Sequence, residues 1–136
     1  MTPLLLPAAL MLLQSDPWSV AMAQLQKELK SSPGMGCVVM VERKDATTLR
    51  LRVKTVGVGF KFIEAESFPS HTGIIKADTP QMMDSFDGTA LIPADATELA
   101  VRLAGEQFSP QLRIAIPKAG DKAQTASMVM GLRTKE

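Results

Sequence analysis

Apolar and basic side chains alternate from Leu49 to Lys54, within the stretch from Thr47 to Val56 (TTLRLRVKTV). Successive side chains of a β-strand point to opposite faces of a sheet, so a period of two predicts a strand with one buried and one solvated face. The apolar side chains predicted to face the core are Leu49, Leu51 and Val53. The basic side chains predicted to face water are Arg50, Arg52 and Lys54. A strand of this kind is typical of an antiparallel sheet that covers its core from one side.

Several other segments have the composition of strands. The apolar run from Gly36 to Arg43 (GCVVMVER) precedes the turn-like Lys44-Asp45-Ala46, which predicts a hairpin with the alternating stretch. Another strand is predicted to contain Phe60 and Phe62. Short strands are predicted at 74–77, 82–86 and 89–92, the last two joined by a hairpin turn at Asp87-Gly88. A terminal hairpin is predicted to pair Leu112, Ile114 and Ile116 with Ala126, Met128, Met130 and Leu132, across residues 118–122.

Two helices are predicted. Asp16 suits the cap of the first helix and Pro17 suits its first turn. An apolar stripe then recurs at helical spacing until Ser31-Ser32-Pro33-Gly34, which ends the helix. The stripe consists of Trp18, Ala21, Met22, Leu25 and Leu29. A second, short helix is predicted after Asp95, because Glu98 completes a capping box and Gly105 suits the exit.

The order of helix, antiparallel strands, helix and hairpin predicts an α+β fold. We expect a curved antiparallel β-sheet, half-barrel-like, with the N-terminal amphipathic helix and the short helix packed on its concave side. A chain of 136 residues is long enough for one domain with one core. We assign residues 16–136 to that domain.

The opening segment contains ten consecutive apolar residues, Leu4 to Leu13. Ten residues are too few to span a membrane, which needs about 20, but they fit the apolar part of a secretory signal. No Lys or Arg precedes them, so a buried N-terminal helix is the alternative. We predict that residues 1–15 are a secretory signal, that the protein is periplasmic or secreted, and that it has no transmembrane span.

Few side chains suit catalysis or metal binding. Cys37 is the single cysteine and stands among small and apolar residues, so it cannot form an intramolecular disulfide and is typical of a packed side chain. His71 is the single histidine and has neither ligand-spaced partners nor a nucleophile-elbow sequence beside it. We therefore predict that the protein is not an enzyme and needs no cofactor or metal.

The charges nearly cancel, with 15 basic and 14 acidic side chains. Since no long-range field attracts phosphates, no nucleic-acid partner is predicted. The distribution is uneven, because six cations lie between Arg43 and Lys61 and seven carboxylates lie between Glu64 and Glu98. Two oppositely charged surface regions would produce such blocks, and so would ordinary solvated strand faces.

The layout of roughly residues 16–92 resembles that of outer-membrane lipoprotein carrier (LolA-like) proteins. The resemblance depends on a signal-like segment, Asp16-Pro17, an amphipathic helix ending near Ser31, a strand pair around ERKDATTLRLRVK, and the following GFKFIEAE. The arginine-proline pair that often opens an early strand in that family is missing, and Thr47 to Arg50 stands in its place. The resemblance implies an open half-barrel whose helices line a lipid-binding cavity.

Two functions follow from these patterns. The first is a carrier that holds a lipid or lipoprotein acyl chain between the concave sheet and the helices, where burial of apolar surface drives binding. The predicted cavity lining is Met22, Leu25, Leu29, Leu49, Leu51, Val53, Phe60, Phe62, Met128 and Met130. The alternative is a protein-interaction or assembly subunit that has no small-molecule ligand and docks a protein partner through a sheet edge or a basic face. That basic face is formed by Arg50, Arg52 and Lys54.

Overall fold

Two four-stranded antiparallel sheets and one helix make up the fold in the computed structural model, which describes residues 17–31, 34–105 and 109–131. In chain order the elements are α1 (Pro17–Ser31), β1 (Gly34–Asp45), β2 (Thr48–Val56), β3 (Phe60–Phe68), β4 (Thr72–Met83), β5 (Ser85–Leu91), β6 (Glu98–Ala104), β7 (Gln111–Ala115) and β8 (Gln124–Gly131). Sheet 1 has the strand order β5-β2-β1-β8, and sheet 2 has the order β4-β3-β6-β7. The predicted antiparallel sheet with an N-terminal helix is confirmed, but the strands are divided between two sheets instead of forming one.

Antiparallel pairs join β1 to β2, β3 to β4 and β6 to β7. Between these pairs the chain crosses from one sheet to the other. β5 returns to sheet 1 and pairs with β2, and β8 returns to the same sheet and pairs with β1. The predicted hairpin of β1 and β2 is confirmed, with Val39 opposite Val53 and Val41 opposite Leu51.

The two sheets pack face to face around one apolar core. Leu49, Leu51 and Val53 lie in this core and are at most 1% exposed, as the alternation of β2 predicts. Sheet 2 contributes the fully buried side chains of Phe60, Ile63, Ala65, Leu99, Val101 and Leu103. Because side chains from opposite sheets share one cluster, the space between the sheets is occupied by the chain's own atoms.

The helix α1 packs on the outer face of sheet 1, over β1 and β8. Its predicted apolar stripe is the packed face, since Leu25 is buried and the other four stripe residues are half-buried. This position explains why the middle of β1 is buried on both faces. The helix therefore covers the side of sheet 1 that points away from the core, and the prediction that it closes a space over Leu49, Leu51 and Val53 is wrong.

Gly36 lies where α1 comes closest to sheet 1. A Cβ at this position would lie 2.7 Å from Leu25 Cδ1 and 2.9 Å from the carbonyl oxygen of Met128. The carbonyl belongs to the backbone of β8, and Leu25 is 1% exposed, so neither group has free space to move into. The missing side chain allows the helix, β1 and β8 to approach one another closely.

Gly36→Ala is expected to lower the free energy of unfolding by about 1–3 kcal/mol, because the added methyl group overpacks this contact. Gly73→Ala is the matched control, since a Cβ at Gly73 would meet no heavy atom within 4 Å. Urea-induced unfolding of the two variants measures the difference. Equal unfolding midpoints would contradict the close packing of α1 on sheet 1.

The predicted short helix after Asp95 is wrong. Glu98–Ala104 forms β6, a central strand of sheet 2 between β3 and β7. Leu99, Val101 and Leu103 point into the core, while Arg102 between them is exposed. β6 pairs with a strand on each side, and every second side chain from Leu99 is buried. These tertiary contacts stabilise a strand more than the local capping-box sequence stabilises a helix.

The predicted turn at Asp87-Gly88 is also wrong, because these two residues form the middle of β5. The ring of Phe86 covers Gly88, where an added Cβ would lie 2.9 Å from Phe86 Cζ. Regular pairing with β2 continues through both residues, from Ser85 to Leu91. The pairing partner, rather than the local turn propensity, decides the conformation here.

The predicted terminal hairpin is wrong as well. β7 pairs with β6 in sheet 2, whereas β8 pairs with β1 in sheet 1. Leu112 and Ile114 of β7 and Ala126 and Met128 of β8 face the same core from opposite sheets, which explains why the two patterns match although the strands are not paired. Leu132 lies outside the described residues.

Asp16 and the predicted secretory signal, residues 1–15, also lie outside the described residues, so the signal stays a prediction. In the described part of the chain, no helix combines the length and the apolar character that a membrane crossing requires.

Candidate functional site

The ten residues predicted to line a lipid cavity lie in separate parts of the molecule. Facing the space between the sheets are Leu49, Leu51, Val53, Phe60 and Met128. On α1, at the opposite face of sheet 1, are Met22, Leu25 and Leu29. Phe62 lies on the outer face of sheet 2, and the side chain of Met130 is outside the described part. The structure therefore does not bring these residues together around one space.

Phe62 lies beneath a guanidinium group on the outer face of sheet 2. The central carbon of Arg102 is 4.9 Å from the Phe62 ring centroid, and Arg102 donates a hydrogen bond to Glu64 at 3.0 Å. The same arrangement is repeated by Phe68, Arg113 and Glu98. Both rings are covered by cations of the chain itself, and those cations are neutralised by neighbouring carboxylates.

The predicted basic face lies on the outer side of sheet 1, and its cations have carboxylate partners. Arg50 donates two hydrogen bonds to Asp87, at 2.9 and 2.7 Å. Lys54 donates one to Asp84 at 2.8 Å, and Arg52 Nε lies 3.7 Å from Asp87 Oδ2. The basic and acidic blocks of the sequence therefore meet across β2 and β5, and this face is close to neutral.

These pairs change the titration of both carboxylates. The hydrogen bond from Arg50 lowers the pKa of Asp87, and the hydrogen bond from Lys54 lowers the pKa of Asp84. Because the folded-state pKa is the lower one, the stabilisation is present above the unfolded value of about 4 and is lost as the pH falls further. At neutral pH the pairs are intact and hold β5 to β2 through side chains as well as through the backbone.

An open groove of about 380 Å³ separates α1 from β5 on this face. Trp18 of the helix is bridged to the sheet by Arg52, whose guanidinium carbon lies 4.4 Å from the ring centroid. The groove is lined mainly by Trp18, Met22, Arg52, Lys54, Ser85 and Asp87. It combines apolar side chains from the helix with polar side chains from the strands.

Among the described strands, β5 is an edge strand that pairs with β2 on one side only. Two backbone hydrogen bonds at the ends of β5 show which of its backbone groups point to β2. The Ile92 N–H donates to the Thr47 carbonyl, and the Thr55 N–H donates to the Asp84 carbonyl, each at 2.9 Å. Backbone groups alternate in direction along an antiparallel strand. The even-numbered residues of β5 therefore bond to β2, and the odd-numbered residues point their N–H and C=O groups away from it.

The outward-pointing residues are Ser85, Asp87, Thr89 and Leu91. The same four are the exposed members of β5, and Leu91 is 76% exposed. Each presents one backbone donor and one acceptor, which makes four donors and four acceptors along the free edge.

β5 lacks the features that protect the other edges. β4 contains Pro80 and pairs irregularly with β3 at two points, and β7 has only five residues. β8 lies against α1. β5 has seven residues, with no Pro, no Lys and no irregularity in its pairing, and its one charged side chain, Asp87, is bound by Arg50. Natural proteins use such features to stop edges from pairing with other chains, so within residues 17–31, 34–105 and 109–131 β5 is the edge open to a further strand.

Cys37 and the metal-ligating side chain types are the remaining candidates for a chemical site. Burial raises the pKa of the Cys37 thiol to about 11, so the thiol is protonated and unreactive at neutral pH. No group of three or more His, Cys, Asp or Glu side chains in the described ranges is placed to hold a metal ion.

The sequence interpretation identifies the basic residues of this face but misses its edge, because it takes Asp87-Gly88 as a turn. A signal is nevertheless present in SFDGTAL, where polar Ser85, Asp87 and Thr89 alternate with Phe86, Gly88 and Ala90. Read with a period of two, this segment is predicted to be a strand with one polar face.

No protein-family model, curated protein or solved structure matches this chain. In the part of the chain that the structure describes, the fold is that of two face-to-face antiparallel sheets with one outer helix.

Proposed function

We propose that this chain is a non-enzymatic protein-interaction module that accepts an extended segment of a partner protein as an added strand along β5. The observation that carries the proposal is the row of four outward-pointing residues on an unprotected edge. In strand addition, backbone hydrogen bonds supply much of the affinity, and side-chain sites beside the edge supply specificity.

The surroundings of β5 support this function. Alternate side chains of an added strand would project on the outer side of sheet 1, next to Ser85, Asp87 and the groove below α1. The hydrogen bonds from Arg50 and Lys54 hold β5 in position before a partner arrives. An edge that is already ordered loses less conformational entropy when it binds.

A lipid carrier receives less support from the same geometry. Leu49, Leu51 and Phe60 are 0% exposed and are packed against side chains of the opposite sheet. The helix residues predicted to close a cavity lie on the other side of sheet 1. Lipid binding and a periplasmic or secreted location stay predictions from the sequence. The mass of the mature protein from its native host tests whether residues 1–15 are removed.

Thr89→Pro tests the proposal at a single backbone group. The N–H of Thr89 points away from β2, so proline removes a donor from the free edge without removing a hydrogen bond between β2 and β5. Thr89→Val keeps the N–H and is the matched control. Peptides selected from a displayed random library on the wild-type protein serve as probes. We expect them to bind Thr89→Pro at least about tenfold more weakly than Thr89→Val.

Leu91→Lys is a second variant that keeps every backbone donor but places a cation at the exposed end of the edge, and we expect it to weaken the same peptides. Circular dichroism and urea unfolding show whether Thr89→Pro is folded, and Leu91→Lys carries the test if it is not. Peptides that bind all variants equally well, or a library that yields no peptide dependent on β5, would overturn the proposal.

A further inference from the structure

We infer that the extended segment accepted by β5 is β5 of a second copy of this chain, paired antiparallel about a two-fold axis at Gly88. This inference rests on the proposed strand addition and names its partner. Such a pair would join two copies of sheet 1, each of four strands, into one continuous sheet.

The direction of the backbone groups restricts the register of the pair. Hydrogen bonds form between residues whose N–H and C=O groups point outward, so odd-numbered residues must lie opposite odd-numbered residues. An axis at Gly88 places Ser85 opposite Leu91 and Asp87 opposite Thr89 of the second copy. All four outward-pointing residues of each strand then have a partner. An axis at Asp87 leaves Leu91 without one, and an axis at Thr89 leaves Ser85 without one.

The side chains favour the same register. An axis at Asp87 would place two carboxylates directly opposite each other, which is destabilising, whereas an axis at Gly88 places Asp87 opposite the hydroxyl of Thr89. On the core side of the strand, the large Phe86 would lie opposite the small Ala90. Gly88 itself has no side chain, so the two copies of Gly88 that lie opposite each other at the axis add no side-chain clash.

The charges of the surrounding face also suit self-association. Its three cations are Arg50, Arg52 and Lys54, and their carboxylate partners are Glu42, Asp84 and Asp87. Two copies of a balanced face can approach without net repulsion. The pair would also cover Leu91, which is 76% exposed. Because one strand pair is a small interface, we expect a dissociation constant of about 1 µM or weaker.

Opposite charges at position 89 test this register. In the dimer, residue 89 lies opposite Asp87 of the second copy, once on each side of the axis. Thr89→Asp is therefore expected to weaken dimerisation at least about tenfold, and Thr89→Lys to preserve or strengthen it. Within one copy, residue 89 lies opposite Arg50, so the folded monomer tolerates the aspartate better than the lysine. Loss of the dimer in Thr89→Asp then cannot be explained by loss of folding.

Sedimentation equilibrium from about 1 to 500 µM protein measures the dissociation constants of the wild type, both charged variants and Thr89→Val. Amide hydrogen exchange shows where the two copies meet. As the protein concentration rises, exchange should slow at the outward-pointing amides of Thr89 and Asp87. It should stay unchanged at Ala90, whose backbone already bonds to β2.

A chain that stays monomeric over the whole range overturns the inference, as do equal dissociation constants for Thr89→Asp and Thr89→Lys. Library peptides whose binding still depends on the Thr89 N–H would then leave strand addition standing with a different partner. Library peptides that bind independently of the β5 edge would overturn the proposed function as well.

Discussion

Phe60→Ala is expected to lower the free energy of unfolding by about 3–5 kcal/mol. Phe60 is 0% exposed and belongs to the core that both sheets share. Truncation removes its apolar contacts and leaves a cavity that closely packed neighbours fill only in part. Since domains of this kind are usually stable by about 5–15 kcal/mol, urea unfolding should show a large shift of the midpoint.

Phe62→Ala is the matched control. The pairing of β3 with β4 is irregular between Phe60 and Phe62, and Phe62 therefore lies on the opposite face although it is only two residues further along. Its ring lies under the exposed Arg102, so its loss should cost about 1 kcal/mol. If the space between the sheets were a hollow that Phe60 only lines, Phe60→Ala would cost no more than Phe62→Ala. That outcome would contradict a filled core.

Arg43→Met is expected to cost about 2–4 kcal/mol, because the Arg43 guanidinium joins two connections that are distant in sequence. It donates to the carbonyls of Asp45 at the end of β1 and Ala46 in the turn to β2, at 3.3 and 2.7 Å. It also donates to those of Ala94 and Ala96 in the β5–β6 connection, at 2.9 and 3.0 Å. Methionine keeps the apolar stem of the side chain and leaves all four carbonyls without this donor.

Arg43→Lys separates geometry from charge. Lysine keeps the positive charge but lacks the planar fork that reaches both connections, so it should recover only part of the lost stability. Lys44→Met alters the exposed neighbouring cation and should change stability by less than about 0.5 kcal/mol. Thermal unfolding measures the loss of stability of the three variants relative to the wild type. An Arg43→Lys variant as stable as the wild type would show that charge alone is responsible.

β2 and α1 are predictable from the sequence because their apolar periods are unambiguous. Leu49, Leu51 and Val53 recur every second residue, and their burial follows directly from the geometry of a strand. The stripe around Leu25 recurs at helical spacing, and the helix ends at Ser31, where the breaking sequence begins. In both elements, the local pattern agrees with the tertiary environment.

β6 and β5 are not predictable from local signals. A capping-box pattern precedes Leu99, and Asp87-Gly88 has strong turn propensity, yet both segments are strands because neighbouring strands pair with them. Which face of sheet 1 the helix covers is also set by tertiary packing, since Leu25 packs over Gly36 of β1, where a larger residue would leave no space.

The candidate site is predictable only in part, for the same reason. The alternation of β2 places Arg50, Arg52 and Lys54 on one face, but it does not show that carboxylates more than 25 residues away neutralise them. Arg43 bonds to residues about 50 positions away, and no local pattern distinguishes it from other surface cations. Contacts over such separations depend on the completed fold.

Partner binding is proposed for the outer edge of sheet 1 because the chain's own side chains already occupy the space between the sheets. Methyl-resolved NMR during titration with a long-chain amphiphile, kept below its micelle concentration, measures this occupancy most directly. We expect the methyl resonances of Leu49, Leu51 and Val53 to stay unshifted throughout the titration. Saturable shifts at these three residues, with a rise in melting temperature, would show that a ligand enters between the sheets and would contradict a filled interior.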